Sequence, residues 1–92
     1  KPYPKDKTII DLFEKQVEKT PNDIAVIYQD NKLTYQELNN KSNLLANYLI
    51  DSGVKIEDIV AIKIERSLEM IIGLIGILKA GCAYLPIDLE YP

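Results

Sequence analysis

From Met70 to Leu78 every residue of the chain is apolar or glycine, with Glu69 before the run and Lys79 after it. A helix that is apolar on all sides has no face to offer water and must be enclosed. Ser67 is the natural N-cap, so the pattern predicts a helix over Leu68–Lys79, ended by Gly81 with Lys79 complementing its dipole. Met70, Ile71, Leu74, Ile75 and Leu78 form one wide face. Gly73, Gly76 and Ala80 fall near the opposite side and make it flat. Each internal glycine costs about 0.5–1 kcal/mol against alanine, which implies another backbone packed closely there. Before this helix Ile59–Ile64 is nearly continuous, β-branched and apolar, as suits a strand covered on both faces. After it Tyr84–Ile87 is a second short apolar strand. Strand, helix and parallel strand make a βαβ unit, with a right-handed crossover expected. The fold class is α/β. A chain of 92 residues has little with which to surround such a helix. The pattern therefore predicts a partner for it, either more chain or a second copy.

The preceding residues read as helix, β-hairpin, helix. Residues 1–7 are rich in lysine and proline and read as a linker, leaving 8–92 as an incomplete domain. Thr8 is expected to cap a first helix, with Asp11 completing part of a capping box. Ile9, Phe13 and Val17, flanked by Ile10 and Leu12, form its apolar stripe, and Pro21 stops it near Glu18. Ile24–Tyr28 reads as a strand, Asp30-Asn31 as a turn that tolerates positive φ, and Lys32–Thr34 as the return strand. Thr34-Tyr35-Gln36-Glu37 is a complete capping box and opens the second helix. Tyr35, Leu38, Ser42, Leu45, Tyr48 and Leu49 are expected on its inner face, with Asn39, Asn40, Lys41, Asn43 and Asn47 outside. Gly53 ends it.

Composition excludes several kinds of function. A net charge of −3 lacks the basic face that nucleic acid requires. The longest apolar run falls far short of the ~20 residues of a membrane span. One cysteine cannot close an internal disulfide. Without histidine there is no Ser-His or Cys-His pair and no histidine-based metal site. Cys82 reads as a small buried hydrophobe rather than a reactive thiol. Lys79-Ala80-Gly81 reads as a helix end rather than a phosphate contact, and Glu57-Asp58 as a solvated loop pair. Glu65-Arg66 stands where open parallel sheets place ligands, but reads rather as a solvated or salt-bridged pair at a loop. The tyrosines are too dispersed to form a stacking platform. No catalytic, cofactor-binding or metal-binding residue is assigned.

Two segments resemble a known family. Leu33-Thr34-Tyr35-Gln36-Glu37-Leu38 is similar to the first core motif of the adenylate-forming enzymes. These include acyl-CoA ligases, luciferases and the adenylation domains of nonribosomal peptide synthetases. Leu78-Lys79-Ala80-Gly81-Cys82-Ala83-Tyr84-Leu85-Pro86-Ile87-Asp88 resembles the second motif in the form typical of the peptide synthetases. Glu65-Arg66-Ser67 and the opening Thr8–Phe13 fit the same family. Leu89 departs from it, standing where a proline is frequent. The resemblance implies the N-terminal part of an adenylation domain. The whole domain would activate an amino acid with ATP and Mg²⁺ and load it onto carrier-protein phosphopantetheine. Its partners would be the rest of the domain and neighbouring condensation and carrier domains, and its location the cytoplasm. The phosphate loop, adenine contacts, substrate pocket and catalytic lysine of that family match no position here, so the piece alone is expected to be inactive and to bind no cofactor. It is also expected to self-associate or exchange elements. Two other readings remain: a piece of an acyl-CoA or aryl-acid ligase, which the wording of Ala83–Asp88 disfavours, and a non-catalytic interaction module.

Overall fold

A computed structural model describes residues 5–63 and 67–88. Seven elements follow in chain order: α1 (Lys5–Lys19), β1 (Ile24–Tyr28), β2 (Asn31–Thr34), α2 (Tyr35–Asp51), β3 (Ile59–Lys63), α3 (Leu68–Lys79) and β4 (Ala83–Ile87). β1 and β2 form an antiparallel hairpin, and β3 and β4 a separate parallel pair with α3 between them in sequence. The α/β class and the order helix, hairpin, helix, βαβ are those expected from the sequence.

The local chemistry sets the boundaries. All of the first four N–H groups of α2 have partners. Thr34 N–H donates to Glu37 Oε1 at 2.9 Å, and Glu37 N–H donates to Thr34 Oγ1 at 3.1 Å. The Tyr35 and Gln36 amides donate to the carbonyls of Asp23 and Pro21, both at 3.0 Å. The capping box thus works with the loop ahead of β1 to close this end. At the other end Gly53 has φ 100°, and its N–H bonds Ile50 C=O while Val54 N–H bonds Leu49 C=O. α3 ends the same way: Gly81 has φ 82°, its N–H reaches Leu78 C=O, and Cys82 N–H reaches Ile77 C=O. Both are Schellman ends, which need a left-handed residue that glycine supplies without strain.

Several expectations are corrected. α1 begins at Lys5, so Thr8 lies inside the helix rather than at its cap. Ile9 and Leu12 are exposed; the inward side of α1 is Ile10, Phe13 and Val17. The hairpin turn is Gln29-Asp30, not Asp30-Asn31, because Tyr28 pairs with Asn31, and the positive φ falls on Gln29 (57°). A bulge between Ile24 and Val26 shifts the register of β1. On α2 the buried positions are Leu38, Ser42 and Ala46, while Tyr48 is 67% exposed. β4 starts at Ala83, one residue earlier than predicted.

α3 packs against α1, α2 and all four strands, so part of its cover comes from the chain itself, while Leu68, residues 70–75 and Leu78 stay only half-buried. Glu69 is its only exposed residue. Its deepest side is Gly76 and Ile77, continued by Ala80, rather than the wide Met70–Leu78 face. A Cβ on Gly76 would stand 3.0 Å from Leu45 Cβ, and one on Gly73 2.8 Å from Ile62 Cδ1. The glycines therefore admit α2 on one side and β3 on the other. The core cluster is Ala46, Ile77, Ala80 and Cys82, with Leu49, Val54, Val60 and Ile62 against it. The β3–β4 pair lacks the second cover that its apolar strands predict. All five β4 residues are exposed, and in β3 Ile59 is 70% exposed.

Candidate functional site

The exits of α2 and α3 meet at the head of the parallel strand pair, and the motif-bearing stretch from Leu78 to Asp88 runs through this joint. Lys55–Asp58 is a tight turn closed by Asp58 N–H donating to Lys55 C=O at 3.0 Å, with Glu57 at φ 75°. Asp58 Oδ2 accepts the Lys55 N–H at 2.8 Å. This Asp58 is thus a turn-forming residue, more than the solvated loop group expected from the sequence. The turn is bonded to the end of α3 by Glu57 N–H to Gly81 C=O at 2.8 Å and by Ala83 N–H to Asp58 C=O at 2.9 Å. A Cβ on Gly81 would also stand 3.3 Å from Ile56 Cγ1.

Lys79 binds three helices together. Its Nζ donates to Asn39 Oδ1 at 2.6 Å, Asn43 Oδ1 at 2.7 Å and Asn39 C=O at 3.3 Å, and lies 5.2 Å from the centre of the Phe13 ring. Partial burial lowers its pKa, against an opposing pull from Glu14. With three protons donated, this ammonium has none left for a phosphate. The sequence placed Asn39 and Asn43 on an outer face; their i, i+4 spacing was the available sign of a shared task.

Cys82 is 2% exposed and belongs to the core. Its Sγ contacts the Lys55 carbonyl at 3.4 Å, and burial pushes the thiol pKa up, reinforced by the Asp58 charge. A thiol so placed is a poor nucleophile, as its sequence context implied. Glu65-Arg66 and Leu89 lie outside the described residues.

Beside the joint an apolar cleft of about 660 Å³ is lined by Ile50, Val54, Ile56 and Gly81, with Lys55 and Lys79. A second, of about 400 Å³, lies between β1 and the start of α3. Neither brings an acid and a base together. Among the described residues no group of three His, Cys, Asp or Glu could hold a metal ion, and no helix is long and apolar enough to cross a membrane. With the N–H groups at the start of α2 all engaged, that helix end offers nothing to an anion either. The joint holds the two strands in register through the Glu57–Gly81 and Asp58–Ala83 bonds.

Comparison with known proteins agrees with the motifs. The profile of the AMP-binding enzymes matches residues 13–92. Gramicidin S synthase 2 of Brevibacillus brevis is 59% identical over 90 residues, and bacitracin synthase 2 of Bacillus licheniformis 63% over 89. These matches cover 98% and 97% of this chain but only 2% and 3% of the two synthases. Among solved structures, the N-terminal subdomain of Klebsiella oxytoca NpsA superposes with a TM-score of 0.85 at 34% identity, covering 91% of this chain and 22% of that one. The NpsA–ThdA artificially fused adenylation–PCP di-domain gives 0.86 at 34%, covering 91% and 16%.

Proposed function

The chain belongs to the AMP-binding enzyme family, and from that premise we propose that it is the N-terminal part of an amino-acid adenylation domain of the peptide synthetase type. The observation that supports this most is the 59–63% identity to two peptide synthases across nearly the whole chain. In the complete domain an amino acid would react with ATP to give an aminoacyl-adenylate and pyrophosphate. The acyl group would then pass to a carrier-protein phosphopantetheine. The adenylation–PCP fusion of a neighbour supports the carrier as a partner; a cytoplasmic location and an upstream condensation domain follow from the same reading.

Within that scheme these residues are scaffold. Among the described residues no group of acids could hold a metal ion, and the start of α2 is closed to phosphates by its own hydrogen bonds. What the chain contributes is a parallel strand pair whose heads are fixed by the Lys55–Asp58 turn and the Gly81–Ala83 exit. The isolated chain has a bare sheet and should self-associate through it.

Amino-acid-dependent ATP–pyrophosphate exchange tests the reading. The 92-residue chain alone should show none, whereas an adenylation protein containing it should show exchange with one or a few amino acids. Turnover by the isolated chain would refute the scaffold assignment. Exchange supported only by aryl or fatty acids would favour the ligase alternative.

A further inference from the structure

α2 turns Leu38, Ser42 and Ala46 inward, where they are buried. On its reverse side Lys41, Leu44, Tyr48 and Asp51 stand at i, i+3, i+7 and i+10, one stripe about 80° wide at ~3.6 residues per turn. All four are exposed, and Leu44 at 71% and Tyr48 at 67% are the most exposed large apolar side chains of the helix. Among the described residues neither the Lys41 ammonium nor the Asp51 carboxylate has an ion-pair or hydrogen-bond partner. This alternation of three and four is the spacing of a two-helix seam, in which such positions face the other helix.

The stripe is also its own complement. Lay a second α2 against it antiparallel, with the two-fold axis at the level of Ala46. Lys41 then meets Asp51 of the second copy, Leu44 meets Tyr48 of the second copy, and the same two contacts recur on the other side of the axis. A parallel alignment would instead set lysine on lysine and aspartate on aspartate. We propose that the outer face of α2 is a self-docking surface, on which two copies of the protein pair through antiparallel α2 helices about a two-fold axis. Two such stripes bury less than the ~1,200 Å² of a stable complex, so the pair forms and parts reversibly. This goes beyond the function proposed above and does not rest on it. It also uses a different surface from the bare β3–β4 sheet, where association would not depend on either α2 charge.

The test is sedimentation velocity on an adenylation protein containing these residues, at low salt and rising concentration. A reversible monomer–dimer equilibrium is expected, weakened by added salt because its ion pairs stand in water. Lys41→Asp sets two carboxylates together at each end of the seam, and Asp51→Lys two ammoniums. Each should weaken pairing about tenfold. Mixing the two variants in equal amounts should restore it, because every carboxylate of one copy then meets an ammonium of the other. Leu44→Gln should abolish pairing and leave the thermal midpoint of the fold unchanged, since that side chain already meets water. A monomer at every concentration, a dimer indifferent to these substitutions, or a mixture as weak as its two components would overturn the proposal. Absence of amino-acid-dependent exchange by the same protein counts against the function alone.

Discussion

Two glycines in α3 show how much a single hydrogen in place of a methyl depends on its neighbour. At Gly76 an added Cβ meets the Cβ and Cγ of Leu45, both at 3.0 Å, and these are anchored to the α2 backbone. At Gly73 it meets only the tip of Ile62, which can swing aside. Gly76→Ala should therefore destabilise the chain by about 1–2 kcal/mol despite its better helix propensity. Gly73→Ala should be neutral or stabilising by about 0.5 kcal/mol. Urea denaturation of the two variants decides the sign of each. The sequence announced that something approaches both glycines; which neighbour could yield depends on side-chain placement that no pattern encodes. Cys82 was legible as a buried hydrophobe from its setting, and its raised pKa adds a pH dependence. Above about pH 8.5 the unfolded thiol ionises while the folded one stays protonated. The folded state then holds more protons, so stability falls as pH rises from there through the folded pKa. Cys82→Ala should remove that component of the slope, measured by thermal melts between neutral and alkaline pH.

Element boundaries were read best where a side chain caps the backbone. Thr34 and Glu37 appear in the structure with both reciprocal bonds, and Gly53 and Gly81 end their helices as placed. Thr34→Ala should cost about 1 kcal/mol, and nearly as much when Glu37 has already been replaced by alanine, because the hydroxyl accepts the Glu37 backbone N–H, which alanine retains; a double-mutant cycle by chemical denaturation checks that the two bonds add. Boundaries were missed where no such mark exists. α1 runs back to Lys5 because nothing in its first turn forbids helix, and the hairpin closes at Gln29-Asp30 because pairing of Tyr28 with Asn31 outweighs the turn preference of asparagine. The Lys79 clasp joins elements far apart in sequence, so it could not be read in advance. Lys79→Met keeps the aliphatic stem but leaves Asn39 and Asn43 without their donor, and should lower stability by about 1 kcal/mol.

For the whole molecule, the all-apolar helix pointed to the right fold class. The sequence predicted that α3 lacks cover; the chain buries Gly76 and Ile77, leaves most of α3 half-buried, and leaves the β3–β4 sheet more open still. Periodicity reports that a surface needs burial but not which element supplies it. Amide exchange on the isolated chain should follow this division: slowest around Gly76 and Ile77, and fast at Tyr84, whose N–H points away from β3 because that of Ala83 points toward it. The bonds between the two helix exits have one more consequence. Glu57 to Gly81 and Asp58 to Ala83 tie the starting points of two strands that are far apart along the chain. The alignment of β3 and β4 is therefore decided at their first rung, as teeth are aligned by the slider of a zip. A residue added or removed in either exit turns every later side chain of that strand to the wrong side, and only paired changes in both exits can leave the alignment intact.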